Sequence, residues 1–212
     1  TYKILVFNYD AKNIDFRNMS RFDEAEAYIL QTKATGQASQ GITPLYGFVV
    51  DSLEITPGQD KSGTLVLTPL VRHVTFTVQV DKPEEIKTCK GSLSGVSTSL
   101  NLSKRKVVTE ASTNVEFDME TSDKGVNGDL IILGTALPKE EEQKPVTNQV
   151  TMDFTLSDGS MVSSTADLED KLNEIDTPHI NVTINATVEK SPKFTIRLTN
   201  WEVGPGEETT IE

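Results

Sequence analysis

The stretch Val71-Arg-His-Val-Thr-Phe-Thr-Val-Gln-Val80 alternates apolar and polar residues, and this alternation decides the fold class. Its apolar positions recur at every second residue and are Val74, Phe76, Val78 and Val80. Because successive side chains of a β-strand point to opposite faces, the pattern predicts a strand with one buried and one exposed face.

The same alternation recurs along the chain. Residues 147–156 and 179–188 repeat it, and the first of these runs into an Asp158-Gly159 turn typical of a β-hairpin. Further strands are predicted over residues 1–8, 64–67, 113–119, 129–133 and 193–198. Many short strands separated by turn residues favour an all-β protein of β-sandwich architecture.

One short helix is predicted over Thr165–Ile175. Its apolar residues Leu168, Leu172 and Ile175 follow helical spacing, acidic residues occupy its first turn, and a proline lies just beyond its end. Residues 22–30 are compatible either with a second short helix or with a turn that leads into a strand.

Two domains are predicted, over residues 1–69 and 70–212, with the boundary near Thr68-Pro69-Leu70. The first piece holds about four candidate strands, which is few for an independent sandwich core. Either it packs on the second domain, or strands that complete it lie upstream of Thr1.

The composition argues against several function classes. A formal net charge of −12 would repel nucleic acid and anionic membranes, and the sequence shows no basic patch that would offset it. The single cysteine, Cys89, excludes an intrachain disulfide and is interpreted as a half-buried apolar residue.

No catalytic motif is visible, so the chain is predicted not to be an enzyme and to need no cofactor. His73 and His179 fall on the polar faces of their strands, where exposure to solvent is more common than catalysis. Oxygen-bearing side chains at Asp123, Asn127 and Asp129 have a spacing that a calcium loop could use. The bidentate glutamate of such a loop is missing, and a turn is the favoured interpretation.

The stretch from Gly91 to Ser103 is rich in Ser, Gly and Thr. Its flanks predict a connection or a twisted edge strand, in which the glycines serve bulges or close backbone approach.

Read in order, several segments resemble the fimbrillin-like surface lipoproteins of Bacteroides-type bacteria, which are related to fimbrial anchor and tip subunits. The segments that carry the resemblance in the first third are Thr1–Asp10, Lys12–Met19, Phe22–Tyr28 and Leu67–Val78. Those in the remainder are Gly91–Val96, Phe117–Met119, Val126–Asp129, Leu133–Gly134, Leu156–Gly159, His179–Ile180 and Asn200–Glu202.

The resemblance implies two transthyretin-like, Greek-key sandwich domains, secretion through a signal peptide, and attachment to the outer membrane at the cell surface. It further implies that the partners are other fimbrial subunits or receptors on host or bacterial surfaces. Subunits would assemble by addition of a β-strand from one subunit to the next. The lipid-anchored cysteine of the family would belong to a longer precursor, since Cys89 lies in mid-chain. Asp51-Ser52-Leu53 matches a short O-glycosylation pattern of such bacteria, which makes Ser52 a candidate modification site.

The favoured hypothesis is therefore a structural or adhesion subunit of a fimbria-like appendage. The alternative is a surface glycan-binding lipoprotein, although that function favours exposed aromatic residues, and the chain has one tryptophan and four tyrosines. A hydrolase or inhibitor built on a β-sandwich is a third hypothesis, opposed by the missing nucleophile and base. Trp201 is predicted to be structural and to anchor the last strand.

Overall fold

A computed structural model describes residues 1–30, 41–108, 111–136, 148–169, 171–190 and 194–206. The strands of the first half are β1 (Tyr2–Phe7), β2 (Ile14–Arg17), β3 (Glu26–Ile29), β4 (Tyr46–Leu53), β5 (Thr68–Pro69), β6 (Arg72–Val80), β7 (Ile86–Ser97), β8 (Ser99–Asn101) and β9 (Lys106–Val107). The rest are β10 (Ser112–Ser122), β11 (Gly125–Ile132), β12 (Gln149–Leu156), β13 (Met161–Asp167), β14 (His179–Lys190) and β15 (Phe194–Pro205). The α-helix of the described part is α1 (Lys171–Glu174). The all-β class with one short helix is confirmed.

The largest sheet has the strand order β13-β12-β7-β10-β11-β6-β14-β15. Its strands pair antiparallel except β14, which runs parallel to β6. The predicted alternation is confirmed on its three clearest strands, where every second side chain is buried. These buried positions are Val74, Phe76, Val78 and Val80 in β6, Val150, Met152, Phe154 and Leu156 in β12, and Ile180, Val182, Ile184 and Ala186 in β14.

This sheet turns back on itself at the β10–β11 hairpin. β10 pairs with β7 along most of its length and with β11 only through its last three residues. β6 and β10 face each other where the rings of Phe76 and Phe117 stack, with their centroids 4.8 Å apart. Gly91 stands directly across from Phe117, and Gly128 directly across from Phe76, so each ring lies beside a position without a side chain.

The first third of the chain forms two small sheets, with the orders β1-β4-β5 and β2-β3-β8-β9. The second of these takes two strands from each side of the predicted boundary at residue 69. The buried core runs without interruption from Ile14 and Ala27 in these sheets to Val182 in the large one. The division into domains 1–69 and 70–212 stays a prediction.

Two sequence predictions are corrected by strand pairing. The helix expected over residues 165–175 is limited to α1, because residues up to Asp167 continue β13 and pair with β12 across the Asp158-Gly159 turn. Pairing along a whole strand outweighs the modest helix propensity of this segment. Leu168 and Leu172 are nevertheless buried as predicted. In residues 22–30, a short 3₁₀ turn leads into β3, which confirms the second of the two alternatives.

The structure also corrects the predictions for residues 91–103 and for residues 64–67. The stretch from Gly91 to Ser103 is neither a connection nor an edge strand, because residues 91–97 belong to β7, between β12 and β10, and residues 99–101 form β8, between β3 and β9. The role predicted for its glycines is confirmed, since the Phe117 ring packs closely on Gly91, and Gly95, at positive φ, lies at a register shift between β7 and β10. Residues 64–67 have a strand-like sequence but form no strand, and Leu65, Val66 and Leu67 are exposed. In the predicted strand 193–198, Lys193 lies outside the described residues, and the strand itself is confirmed as β15.

Candidate functional site

The two-stranded pair β1–β4 is apolar on both faces. Its register places Leu5 opposite Val49 and Val6 opposite Phe48. Leu5 and Phe7 point to the inner side and pack against the buried core. Because side chains alternate along a strand, Ile4 and Val6 lie with their partners on the other face. Those side chains are half-buried and do not belong to the core, so this face of the pair is incompletely covered.

An aromatic cluster holds the inner face of β1 on the neighbouring sheet. The ring of Phe7 lies 4.8 Å from that of Phe16 in β2, and Tyr9 stacks on the same ring at 5.0 Å. Contacts of this geometry add to the stabilisation that burial of the rings provides. The strand pair is therefore fixed in position even though its other face is incompletely covered.

The backbone at both edges of this pair lacks a strand partner within the described ranges. β1 has β4 as its one neighbour, and β5 covers only Tyr46 and Gly47 of β4. The remaining edge of β4, Phe48–Leu53, spans about 17–20 Å at the rise of an antiparallel strand. An edge of this kind presents N–H and C=O groups that can pair with another chain.

The direction of these backbone groups follows from two neighbouring hydrogen bonds. The carbonyl of Tyr46 accepts from the N–H of Asn8 on the β1 side, whereas the carbonyl of Leu45 accepts from the N–H of Leu70 on the β5 side. Because backbone groups of successive residues point to opposite edges, those of Phe48 point to β1. The backbone N–H and C=O groups of Val49 therefore point to the edge of β4 that faces away from β1.

Three large apolar side chains of the first sheet and of the chain before it are exposed. Val66 is 69% exposed and Leu65 46% exposed, and both lie shortly before β5 in the chain. Tyr2 at the start of β1 is 60% exposed. Exposed apolar side chains that form a patch are typical of an interaction surface.

Pairing of β6 with β14 brings the two histidines together. His73 and His179 are opposite each other, with ring centroids 5.6 Å apart. The Nε2 atom of His73 lies 3.1 Å from Oδ1 of Asp129 in β11, and the Thr75 hydroxyl donates to the same oxygen at 2.7 Å. Three strands that are distant in sequence meet here, which alternation within one strand cannot reveal.

The three candidate calcium ligands occupy one hairpin. Asp123 lies in its turn, Asn127 pairs across with Glu120, and Asp129 is engaged by β6. The part of the chain that the structure describes contains no group of three or more His, Cys, Asp or Glu side chains placed to hold a metal ion. The calcium site stays a prediction. The same holds for modification of Ser52, which is exposed near the end of β4.

Cys89 is buried in β7, with its Sγ atom 3.6 Å from Sδ of Met119. Burial raises the pKa of the Cys89 thiol to about 12, and the charge of Asp153 acts in the same direction. A thiol in this state is a poor nucleophile at neutral pH. Trp201 is half-buried in β15, opposite Ile184, and packs against the core.

The fold is that of an all-β protein whose described strands leave most of one β4 edge unpaired, and comparison with known proteins places it in a family. Residues 1–118, more than half of the chain, match the family described as Domain of unknown function (DUF5119), so the protein belongs to that family. No curated protein matches the chain. No helix among the described residues is long and apolar enough to cross a membrane.

Solved structures with a similar fold come from Bacteroidales. The fimbrial anchor protein Mfa2 from Porphyromonas gingivalis has a TM-score of 0.58 and 13% identity, over 97% of this chain and 75% of its own. A candidate adhesin from Bacteroides ovatus has a TM-score of 0.56 and 20% identity, over 99% and 76%. A candidate polysaccharide-binding protein from Bacteroides thetaiotaomicron has a TM-score of 0.52 and 12% identity, over 98% and 76%. At the level of the fold, these neighbours confirm the resemblance to fimbrillin-like proteins.

Proposed function

We propose that the protein is a non-enzymatic structural or adhesion subunit of a fimbria-like appendage at the cell surface. The observation that carries the proposal is the pair β1–β4, which is apolar on both faces and, among the strands that the structure describes, has no partner along Phe48–Leu53. The fold of the whole chain is similar to that of a fimbrial anchor protein and of candidate adhesins, which supports the same role. In this proposal the chain forms two transthyretin-like, Greek-key domains and is part of a lipid-anchored outer-membrane precursor.

Assembly proceeds by addition of a strand to β4. A donor strand from another subunit lies along Phe48–Leu53 and bonds to outward backbone groups such as those of Val49. Backbone hydrogen bonds supply affinity, and alternating side-chain positions supply register. The apolar side chains of the donor extend the incompletely covered face that contains Val6 and Phe48, and so remove apolar surface from water.

The β4 edge is favoured over the outer edge of β1 for two reasons. The start of β1 is occupied by the neighbouring 3₁₀ turn, since the Lys3 amine lies 4.9 Å from the centre of the Phe22 ring and pairs with Asp23 at 3.1 Å. The exposed Leu65 and Val66 lie shortly before β5, which pairs with the start of β4, and in this proposal a donor strand covers them.

A photo-crosslinking experiment in the native cell tests this assignment. The photoreactive residue p-benzoylphenylalanine replaces Asp51, which is exposed beside the β4 edge, or Asp123, which is exposed in the distant β10–β11 turn. Mass spectrometry of the crosslinked peptides is expected to identify an extended segment of another surface subunit at position 51 and none at position 123. Crosslinks confined to this chain at position 51, in a protein that stays monomeric on cells, would contradict strand addition.

A proline variant separates backbone pairing from side-chain contact. Val49→Pro removes an N–H that points to the open edge and leaves the ladder between β1 and β4 intact. Crosslinking from position 51 is expected to be lost in Val49→Pro and kept in the matched control Val49→Ala. Equal crosslinking in both variants would show that backbone pairing at β4 is not used.

A further inference from the structure

We propose that a basic cleft beside the first sheets binds an acidic saccharide, a sugar chain that bears carboxylate or sulfate groups. The cleft has a volume of about 810 Å³, within the usual range for small-molecule sites. It lies between β5, β9, the chain that follows β11, and α1 with the residues after it. No residue of β4 lines the cleft, so the proposal does not depend on strand addition.

The charge of the cleft is opposite to that of the protein. Three cationic side chains line it, those of Arg72, Arg105 and Lys106, against one carboxylate, that of Asp176. The whole chain has 32 acidic and 20 basic residues, so composition alone would give an excess of carboxylates. No described carboxylate forms a salt bridge with any of these three cations. The described lining therefore forms a basic patch that no single stretch of the sequence shows, because its cations come from separate segments.

Arg72 is the central cation of the cleft. Its side chain is half-buried, and Nη1 donates to the carbonyl of Leu172 at 2.6 Å. Burial lowers the pKa of Arg72, and the nearby Asp176 opposes this effect. A guanidinium has five N–H donors in a planar fork, which matches the two oxygens of a carboxylate or sulfate. An anionic group in the cleft would therefore satisfy a partly desolvated charge that the described protein groups leave without an ion pair.

The lining of the cleft suits a sugar better than a simple ion. The side-chain amide nitrogen of Asn173 can donate to a sugar hydroxyl, and the hydroxyl oxygen of Thr177, which donates to the carbonyl of His179, can accept from one. The buried Thr135 donates to Oδ1 of Asn173 and so holds that amide in place. Val107, which is half-buried, offers apolar surface for the C–H face of a sugar ring, whereas the lining residues Leu100 and Leu133 are themselves buried. Long-range repulsion from the net charge does not prevent binding, because physiological salt screens exposed charges beyond about 8–10 Å.

Binding can be measured by isothermal titration calorimetry with three hexasaccharides. They are an oligogalacturonate, which carries carboxylates alone, a heparin fragment, which also carries sulfates, and the neutral maltohexaose. We expect binding of one or both acidic probes, at least about tenfold tighter than that of maltohexaose, and weakening as salt rises from about 50 to about 300 mM. The oligogalacturonate and heparin titrations together identify which anionic group the site prefers.

Variants localise the site without disturbing the core. Arg105→Gln with Lys106→Gln removes two exposed charges of the cleft and is expected to weaken acidic-probe binding by about tenfold or more. The control Lys87→Gln with Lys124→Gln makes the same charge change at exposed positions elsewhere and should leave the affinity unchanged. Asp176→Asn removes the one carboxylate among the described lining residues, and it should tighten binding by a few-fold, which a purely structural role would not produce.

Three outcomes would overturn the proposal. One is equal loss of affinity in the cleft and control variants, and another is equal binding of maltohexaose. The third is competitive binding of a glutamate hexapeptide with equal affinity, which would show that the cleft recognises charge and not sugar. Val49→Pro should bind the acidic probes normally, so failure of strand addition and failure of this site are distinguishable.

Discussion

Replacement of Gly91 by alanine tests how the two halves of the large sheet are held together. A Cβ atom built on Gly91 would lie 2.3 Å from Cζ of Phe117 and within 2.7 Å of both Cε atoms. Ordinary contact begins near 3.4 Å, so the ring would have to retreat by about 1 Å. That ring is stacked on Phe76, and a tightly packed interior offers little room for the movement.

The expected cost has two parts. Overpacking in a core costs about 1–3 kcal/mol, and a disturbed aromatic pair loses a further 0.5–1.5 kcal/mol or so. Gly91→Ala should therefore lower the free energy of unfolding by about 2–4 kcal/mol, measured by urea denaturation with circular dichroism. Backbone strain does not contribute, since Gly91 has no positive φ. The matched control is Gly63→Ala, where an added Cβ meets nothing within 4 Å, and it should not destabilise the protein.

A double-mutant cycle identifies the cause. If the alanine acts through the Phe117 ring, Gly91→Ala should cost less than about 1 kcal/mol in a Phe117→Leu background, because the smaller side chain can move aside. Additive costs of the two substitutions would refute the steric argument. A cost of Gly91→Ala below about 0.5 kcal/mol would refute it as well, since the ring would then have room to move.

Two further predictions concern single side chains. Because the Cys89 thiol ionises near pH 9 when unfolded and near 12 when folded, the unfolded state loses its proton first and stability should fall as pH rises above about 9. Urea titrations should show a weaker decline in Cys89→Ala, and an identical pH dependence in both proteins would contradict the assignment. Trp201→Ala should cost about 1.5–3 kcal/mol in the same assay, less than a fully buried aromatic, because Trp201 is half-buried on an edge strand. A loss well below 1 kcal/mol would show that the ring does not anchor β15, and Trp201→Phe should retain most of the stability.

Alternation in the sequence predicted β6, β12 and β14 of the large sheet because each carries its own evidence of a buried face. In β14, for example, Ile180 and Val182 are buried and the residues between them are not. Prediction failed where a strand depends on its neighbours. β7 reads as a loop because Gly91 lacks a side chain, and the ring that covers it comes from Phe117 on another strand. The strand predicted over residues 64–67 is the opposite case. Its side chains favour a strand, but no described strand pairs with it.

The candidate sites were less predictable than the fold because each is built from distant segments. The strand-like character of residues 1–8 was evident, but nothing in the sequence shows that β5 leaves most of the β4 edge uncovered. Arg72 and Arg105 are separated by more than thirty residues, and Asp176 lies farther still along the chain. Their common cleft follows from the packing of β9 and α1 around β5, which local patterns do not encode.

The open edge of β4 raises the question of how the protein avoids non-specific aggregation. An apolar strand with an unpaired edge is a hazard that natural proteins limit with charge and proline. Pro69 in β5 cannot donate a backbone hydrogen bond, and Lys3 and Asp51 place charges on β1 and β4. The net charge of −12 adds a general repulsion between identical copies. This repulsion weakens over a Debye length, whereas backbone pairing acts only in contact. A donor strand that is matched in register can therefore bind the edge, while random encounters between acidic copies are kept apart.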